Sequence, residues 1–422
     1  MTDRNFKDEP TFCVAPWAHL HVINDGRAYA CCQTPLRPEY AFGNVKTQSF
    51  LEVLNSDKAK QFRKDMIEGK ELPPQCHRCA DKGAHGLNTM RTGLNMQWYD
   101  DVEDLVKSTK EDGSIDEARL SYWDFRFSNE CNLACVTCAP LFSTSWSKDW
   151  KVLHPNDDTE LGLISLEKSP LFWEEIENNL ENMKQIHFAG GEPLIMPEHW
   201  NILQLLDEKQ KYDVRLRYST NGTTLGKEKY DVLSYWKKFN DVHLSLSIDG
   251  TGDAFEYIRY RGNWDKTFAN LKRIRESRAA EYWIHPTISI LNIFRLTELH
   301  DILHTNDLIP LTNIHDAPIN MDNYWSDRFH LNPLFVPSEY SITILPKNLK
   351  DQAAQKIHQY GMKMQQDYGI PYHGWKSIID FMYSADNSHL LDAFHTKINK
   401  LDEIRNQNFY KINPEFINAE PQ

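Results

Sequence analysis

The stretch CNLACVTC, residues 131–138, follows an alternating segment, SYWDFRFS (121–128). Its cysteines, Cys131, Cys135 and Cys138, are spaced C-x3-C-x2-C. A [4Fe–4S] cluster has four iron corners, each normally held by a thiolate. Three cysteines this close can hold three corners and leave the fourth iron open to bind and reduce a small molecule. A short cysteine cluster also reads as a zinc site, so neighbouring segments have to decide.

All eight cysteines lie in the first third of the chain, at 13, 31, 32, 76, 79, 131, 135 and 138. A disulfide framework would be spread through a small secreted fold, whereas clustered cysteines in a large chain read as metal ligands. The 422 residues allow two or three domains and a sizeable core. Lys plus Arg is 47 against Asp plus Glu at 60, a net charge of −13, which argues against a general nucleic-acid binder. No apolar run approaches the ~20 residues that span a bilayer. The opening MTDRNFKDEP lacks the apolar core of a secretory signal. A cytoplasmic protein with no membrane partner is expected.

Beyond residue 138 the pattern alternates strands and helices, as βα units around a parallel sheet do. Candidate strands are 121–128, 185–189, 213–220, 241–248, 282–290 and 309–316. Candidate helices are 142–153, 172–182, 198–209, 227–237, 264–277 and 295–306. Chemistry in such folds gathers where strands end. FAGGEPLI places Gly190, Gly191, Glu192 and Pro193 after the second strand, where two glycines let the backbone approach a ligand closely. STNGT (219–223) follows the third strand and contains Asn221. In HLSLSIDG (243–250), Leu244, Leu246 and Ile248 fall on one face and His243, Ser245, Ser247 and Asp249 on the other. Charges on inner faces, Asp124 with Arg126 and Arg215 with Arg217, are costly unless paired, so pairing is expected.

Taken together, C-x3-C-x2-C, GGEP some fifty residues later, TNG, SIDG and the arginine-glycine stretch AFEYIRYRGNW (254–264) resemble the radical S-adenosylmethionine (SAM) superfamily. The resemblance implies an α/β fold with a partial (β/α)6 TIM-like barrel. It implies that Cys131, Cys135 and Cys138 hold a SAM-binding [4Fe–4S] cluster and are the catalytic centre. Gly190, Gly191, Glu192 and Pro193 would hold the amino group of SAM's methionine moiety. Asn221 would line the pocket, and Ser247 and Asp249 would meet its ribose and carboxylate. Arg259 aligns best with the arginine that clamps the carboxylate, with Arg261 as the competing choice. The residue before the third cysteine, often aromatic in this family, is Thr137 here.

The N-terminal segment has its own pattern. Cys13 is followed by Gly26, then Cys31 and Cys32, and ELPPQCHRCADKG supplies Cys76 and Cys79, with a helix expected near 47–69. This resembles the twitch/SPASM auxiliary-cluster module, though that module usually follows the barrel. The resemblance implies a second [4Fe–4S] cluster on Cys13, Cys31, Cys76 and Cys79. Adjacent strand residues point to opposite faces, so either Cys31 or Cys32 ligates, not both. A four-cysteine zinc site is the rival. Three domains are expected: a small cysteine-rich α+β module at 1–112, the barrel at 113–320 and a mainly helical C-terminal extension at 321–422. The family's chemistry implies cleavage of SAM to a 5′-deoxyadenosyl radical that takes a hydrogen from an unknown substrate, a peptide or a small molecule. A flavodoxin or ferredoxin would be the reductant. The alternative is a non-catalytic iron–sulfur carrier or a zinc-binding interaction protein with a degenerate barrel.

Overall fold

The computed structural model describes residues 6, 9–84, 89–159, 161–227, 230–313 and 325–417. Eight strands make the main sheet: β1 (His19–Val22), β2 (Arg27–Tyr29), β3 (Gly43–Asn44), β4 (Tyr122–Arg126), β5 (Gln185–Ala189), β6 (Arg215–Thr220), β7 (Val242–Leu246) and β8 (Glu281–Ile284). Together with the helices between them they form the expected α/β, parallel-dominated architecture. The chain forms two compact units. One comprises 1–129, 163–217 and 238–241; the other comprises 130–162, 218–237 and 242–422.

In the first unit β1 runs parallel to β4, with His19 opposite Tyr122 and His21 opposite Asp124. β4 runs parallel to β5, with Asp124 opposite His187. β1, β2 and β3 form an antiparallel meander. The turn between β1 and β2 needs Gly26, whose φ is +91° and whose absent Cβ would lie 2.3 Å from Asn44 Oδ1. The N-terminal hairpin therefore continues the sheet from the edge of β4. One face of β4 is apolar: Trp123 and Phe125 pack on Phe50, and Phe125 packs on Phe172.

The helix expected near 47–69 is two helices, Phe50–Leu54 and Asp57–Glu68. Ser49 and Glu52 form a capping box on the first, and Ser56 caps the second by accepting from Ala59 N–H. Arg63 on the second is buried and donates to the carbonyls of Pro16, Leu54 and Gly113. It thereby ties three separate segments of this unit together.

In the second unit β7 and β8 run parallel, with Trp283 opposite Ser245. Leu244, Leu246 and Ile248 are buried and His243, Ser245 and Ser247 half-buried, matching the expected alternation. The strand expected over 282–290 breaks after Ile284 and resumes only as Thr287–Ile288. Pro286 lies in the gap and has no N–H for the ladder. Of the strand expected at 309–316, Thr312–Asn313 is a short strand and 314–316 lie outside the described residues. The edge of β8 is instead met by 328–330: Ile284 N–H donates to Arg328 O and His330 N–H to Ile284 O, both at 2.8 Å. The C-terminal region is mainly helical, with helices Lys347–Tyr368, His373–Tyr383 and Leu391–Arg405.

Candidate functional site

The loop 131–138 is irregular, so its backbone groups need partners from outside it. Ala134 N–H donates to Tyr260 O at 3.0 Å and Val136 N–H to Ile258 O at 2.8 Å. Ser145 Oγ donates to Cys131 O at 2.8 Å, and Ser143 Oγ to Leu133 O. Trp146 Nε1 donates to Cys135 O at 2.8 Å. Leu133, Ala134 and Val136 are buried, while Cys131, Cys135 and Cys138 are half-buried and free of disulfides. The apolar residues anchor the loop.

Two sequence candidates meet at this loop. Arg259 caps helix Gly252–Ile258, and its Nε donates to Asp249 Oδ2 at 2.6 Å. Its Nη1 lies 3.6 Å from Cys135 Sγ. Asp249 Oδ1 also accepts from Thr287 N–H at 2.7 Å, so that carboxylate is fixed from two sides. Burial pushes the Cys135 thiol up, and the Arg259 guanidinium opposes it. Burial, with Cys135 adding, pushes Cys138 up to about 12. Binding a metal or cluster releases such protons. Of the two arginines, Arg261 instead donates to Ser145 Oγ from an exposed position.

Asn221 is the third candidate at the loop. Its Nδ2 donates to Asn132 Oδ1 at 3.0 Å, and Asn132 Nδ2 donates to Thr223 Oγ1 at 2.8 Å. Asn132 sits between two of the cysteines, yet an asparagine there carries no signal in a single sequence. Ser247 lies at the end of β7, where its N–H donates to Thr220 O.

Gly190 to Pro193 lie in the first unit. Gly190 has φ +118°, and a Cβ there would sit 2.8 Å from Ser128 O. Gly191 N–H donates to that same carbonyl at 3.1 Å. Gly190 is therefore required by the turn itself. Glu192, a carboxylate in a turn, would ordinarily be solvent-exposed. It is fully buried, and its Oε1 accepts from Leu194 N–H at 3.1 Å.

The N-terminal cysteines form one electrostatic group. Burial pushes the Cys13 and Cys31 thiols up to about 12, with Cys79 adding to both and Cys13 adding to Cys31. Cys76 is pushed up by burial and then by Cys31, Cys13 and Cys79. Cys32 differs: after burial, the carboxylate of Asp124 acts on it before Cys31 does. Both lie past the end of β2 at Tyr29, outside any strand. Asn95 braces this group unheralded by any motif. It accepts from Val14 N–H at 2.8 Å and donates to Phe12 O at 3.0 Å, one on each side of Cys13. Cys13, Cys31, Cys76 and Cys79 supply between them the four-thiolate donor set common to an iron–sulfur cluster and to zinc. Among the described residues no three His, Cys, Asp or Glu side chains converge closely enough for a single metal ion.

A row of polar side chains crosses β1, β4 and β5. Asp124 is fully buried, with Oδ2 3.0 Å from His21 Nδ1 and Oδ1 3.2 Å from His187 Nδ1. Arg126 stands 3.5 Å from the same carboxylate, the pairing expected for this strand. Burial alone would raise Asp124, but Arg126, His21 and His187 outweigh it and hold the carboxyl well below its usual range. Arg215 does not pair with Arg217's strand neighbours; it binds Asp241.

Residues 125–291 match the model of the Radical SAM superfamily, and residues 13–80 match the SPASM iron–sulfur cluster-binding domain. GTP 3′,8-cyclase 1 of Mycobacterium tuberculosis is 24% identical over 193 residues, 44% of this chain and 49% of that one. GTP 3′,8-cyclase of Campylobacter lari is 24% identical over 130 residues, 31% of this chain and 35% of that one. The chain thus spans half or less of the curated relatives it matches. Among solved structures, anSMEcpe with bound AdoMet has a TM-score of 0.40 at 15% identity, covering 59% of this chain and 60% of that one. Streptococcus suis SuiB bound to S-adenosylmethionine has a TM-score of 0.35 at 14% identity, covering 82% and 68%. No helix among the described residues is long and apolar enough to cross a membrane.

Proposed function

We propose that this chain, whose residues 125–291 match the Radical SAM superfamily behind a SPASM iron–sulfur domain at 13–80, cleaves SAM reductively and abstracts a hydrogen atom from a substrate. The single observation that carries the reading is Arg259, held by Asp249 with its second nitrogen 3.6 Å from Cys135. An electron carrier or a zinc module has no use for a forked cation braced at a cluster ligand. An enzyme that must hold a carboxylate beside an open iron does.

Cys131, Cys135 and Cys138 would hold the SAM-binding cluster, and Cys13, Cys31, Cys76 and Cys79 the auxiliary one. The barrel cluster, when bound, supplies the electron for SAM cleavage. Arg259 and Asp249 orient the methionine end of SAM, and Asn221 fixes the cluster loop through Asn132. Gly190, Gly191, Glu192 and Pro193 take SAM's amino group by the likeness of their motif, and Ser247 its ribose. His21, Asp124 and His187 form a row able to move a proton. The domain division at 112 and 320, a flavodoxin or ferredoxin reductant, and a cytoplasmic setting complete the reading. Eight free thiols suit a reducing compartment.

The test is anaerobic reconstitution with iron, sulfide, SAM and a low-potential reductant. Release of 5′-deoxyadenosine and methionine is expected, and their absence from protein with full iron content rejects the reading. GTP enters as the first small molecule to assay because the relatives' names print it. Peptides form the second set.

A further inference from the structure

Arg405 ends helix Leu391–Arg405, far along the chain from the cysteine loop, yet its side chain is buried. Its Nε donates to Asp149 Oδ2 at 2.9 Å. Its guanidinium is sandwiched between two rings, 4.7 Å from Trp146 and 4.4 Å from Tyr260. Nη1 and Nη2 have no hydrogen-bond partner among the described residues. The two clamping residues are also the ones that hold the cysteine loop. Trp146 donates to Cys135 O, and Tyr260 O accepts from Ala134 N–H.

A cation near a helix C-terminus is favourable, but a surface arginine would satisfy that need equally well. Burying a guanidinium with one carboxylate and two unpaired nitrogens is costly. Aromatic faces recover part of that cost. The arrangement has a clear use if a negative charge develops beside the loop.

We propose that Arg405 is an electrostatic positioning residue for the barrel cluster, fixing the Cys131–Cys138 loop through Trp146 and Tyr260 and favouring the cluster's reduced form. This rests on the reading of Cys131, Cys135 and Cys138 as cluster ligands. Reduction adds one electron from a flavodoxin, ferredoxin or chemical low-potential reductant; no bond breaks and no proton moves. The cluster becomes one charge more negative, and a fixed cation nearby stabilises that form. Asp149 has the opposite sign and the opposite effect.

The experiment is an anaerobic potentiometric titration of the full-length, reconstituted protein, followed by electron paramagnetic resonance with and without SAM. Arg405→Gln is expected to lower the reduced-to-oxidised ratio of the SAM-responsive cluster about tenfold at fixed potential, about 59 mV for one electron. Arg405→Lys should restore most of it. Asp149→Asn should shift the midpoint the other way, towards easier reduction. The N-terminal cluster, which does not respond to SAM, should keep its midpoint throughout. Loss of packing alone would move Arg405→Gln and Asp149→Asn in the same direction, and that result, or an unmoved midpoint in Arg405→Gln, overturns the proposal. If Arg405→Gln does not fold, Arg405→Lys and Asp149→Asn decide: an unmoved or negative shift in Asp149→Asn rejects it. A wild-type protein without any SAM-responsive cluster signal would instead reject the underlying cluster reading.

Discussion

Arg259 bridges Asp249 and Cys135: one guanidinium donates to the carboxylate at 2.6 Å and reaches the sulfur at 3.6 Å. The bridge links the segment that follows β7, the cap of helix Gly252–Ile258 and the cysteine loop. A lysine could keep the charge but not both contacts, because an ammonium is a point donor and a guanidinium a fork. Arg259→Lys is expected to retain both clusters and to lose about 2 kcal/mol of SAM affinity, about thirtyfold. Isothermal calorimetry on the reconstituted variant checks this. Arg261→Lys, at the exposed Ser145 contact, should bind SAM as the wild type does.

Cys135 is built into the loop from two sides, with its carbonyl held by Trp146 and its sulfur beside Arg259. Cys135→Ala should remove about four irons per chain and abolish 5′-deoxyadenosine release. The N-terminal irons should stay. Iron quantitation and product detection are the measurements, and continued SAM cleavage would refute the assignment of this loop.

The adjacent pair Cys31 and Cys32 gives a sharper test of the N-terminal group, because the two differ in surroundings and not in chemistry. Cys31 shares its electrostatic neighbours with Cys13, Cys76 and Cys79, whereas the Asp124 carboxylate is the charge that weighs most on Cys32. Cys31→Ser should lose about four irons and Cys32→Ser should lose none. Replacing Cys76 and Cys79 together should match Cys31→Ser and spare uncoupled SAM cleavage. A stoichiometric zinc in anaerobically prepared protein would replace the cluster reading with a zinc one.

What the sequence made legible follows from the kind of signal each feature leaves. Strands β5 and β7 carry a period-2 alternation and bounding turn residues, so their positions could be read directly. The break at Pro286 could also have been read, since proline cannot donate to a ladder. The join of β1 to β4 could not. It brings residues about a hundred positions apart into register, and no local pattern encodes that pairing. The braces Asn95, Asn132 and Arg405 were silent for the same reason. Their chemistry is ordinary, and only their distant partners give it a role. Glu192 shows the converse: the motif was legible, but not its burial, because GGEP in isolation looks like an exposed turn.

The burial of Glu192 changes what its replacement should do. An exposed carboxylate could be removed at under about half a kcal/mol. Here Leu194 N–H relies on Glu192 Oε1 inside a closed turn. Glu192→Ala should therefore destabilise the protein by about 1–3 kcal/mol as well as weaken SAM binding. Glu192→Gln keeps the acceptor and should keep the stability, while still losing SAM affinity. Denaturant melts and calorimetry separate the two effects. Equal SAM affinity in Glu192→Gln and wild type would leave the turn with a structural role only.

Two buried histidines set a pH window for the first unit. His19 lies against Tyr122, with ring centroids 4.5 Å apart, and burial pushes it down to about 4, opposed by Asp124. His199 is also buried, and burial pushes it down to about 3. Both titrate near 6.5 in the unfolded chain. Below that value the unfolded state binds protons that the folded state refuses, so stability falls as pH falls, until the folded groups themselves titrate. At pH 5 each imidazole should cost roughly 2 kcal/mol relative to pH 8. The Asp124 carboxylate, held low, contributes stability that is fully present above its unfolded pKa and is lost only as pH falls below that value, outside this window. The melting temperature should therefore decline between pH 7 and pH 5, and His199→Phe should decline less. Iron loss at acid pH affects both proteins alike, so the difference between their slopes carries the test. Parallel slopes would show that His199 already accepts its proton in the folded chain.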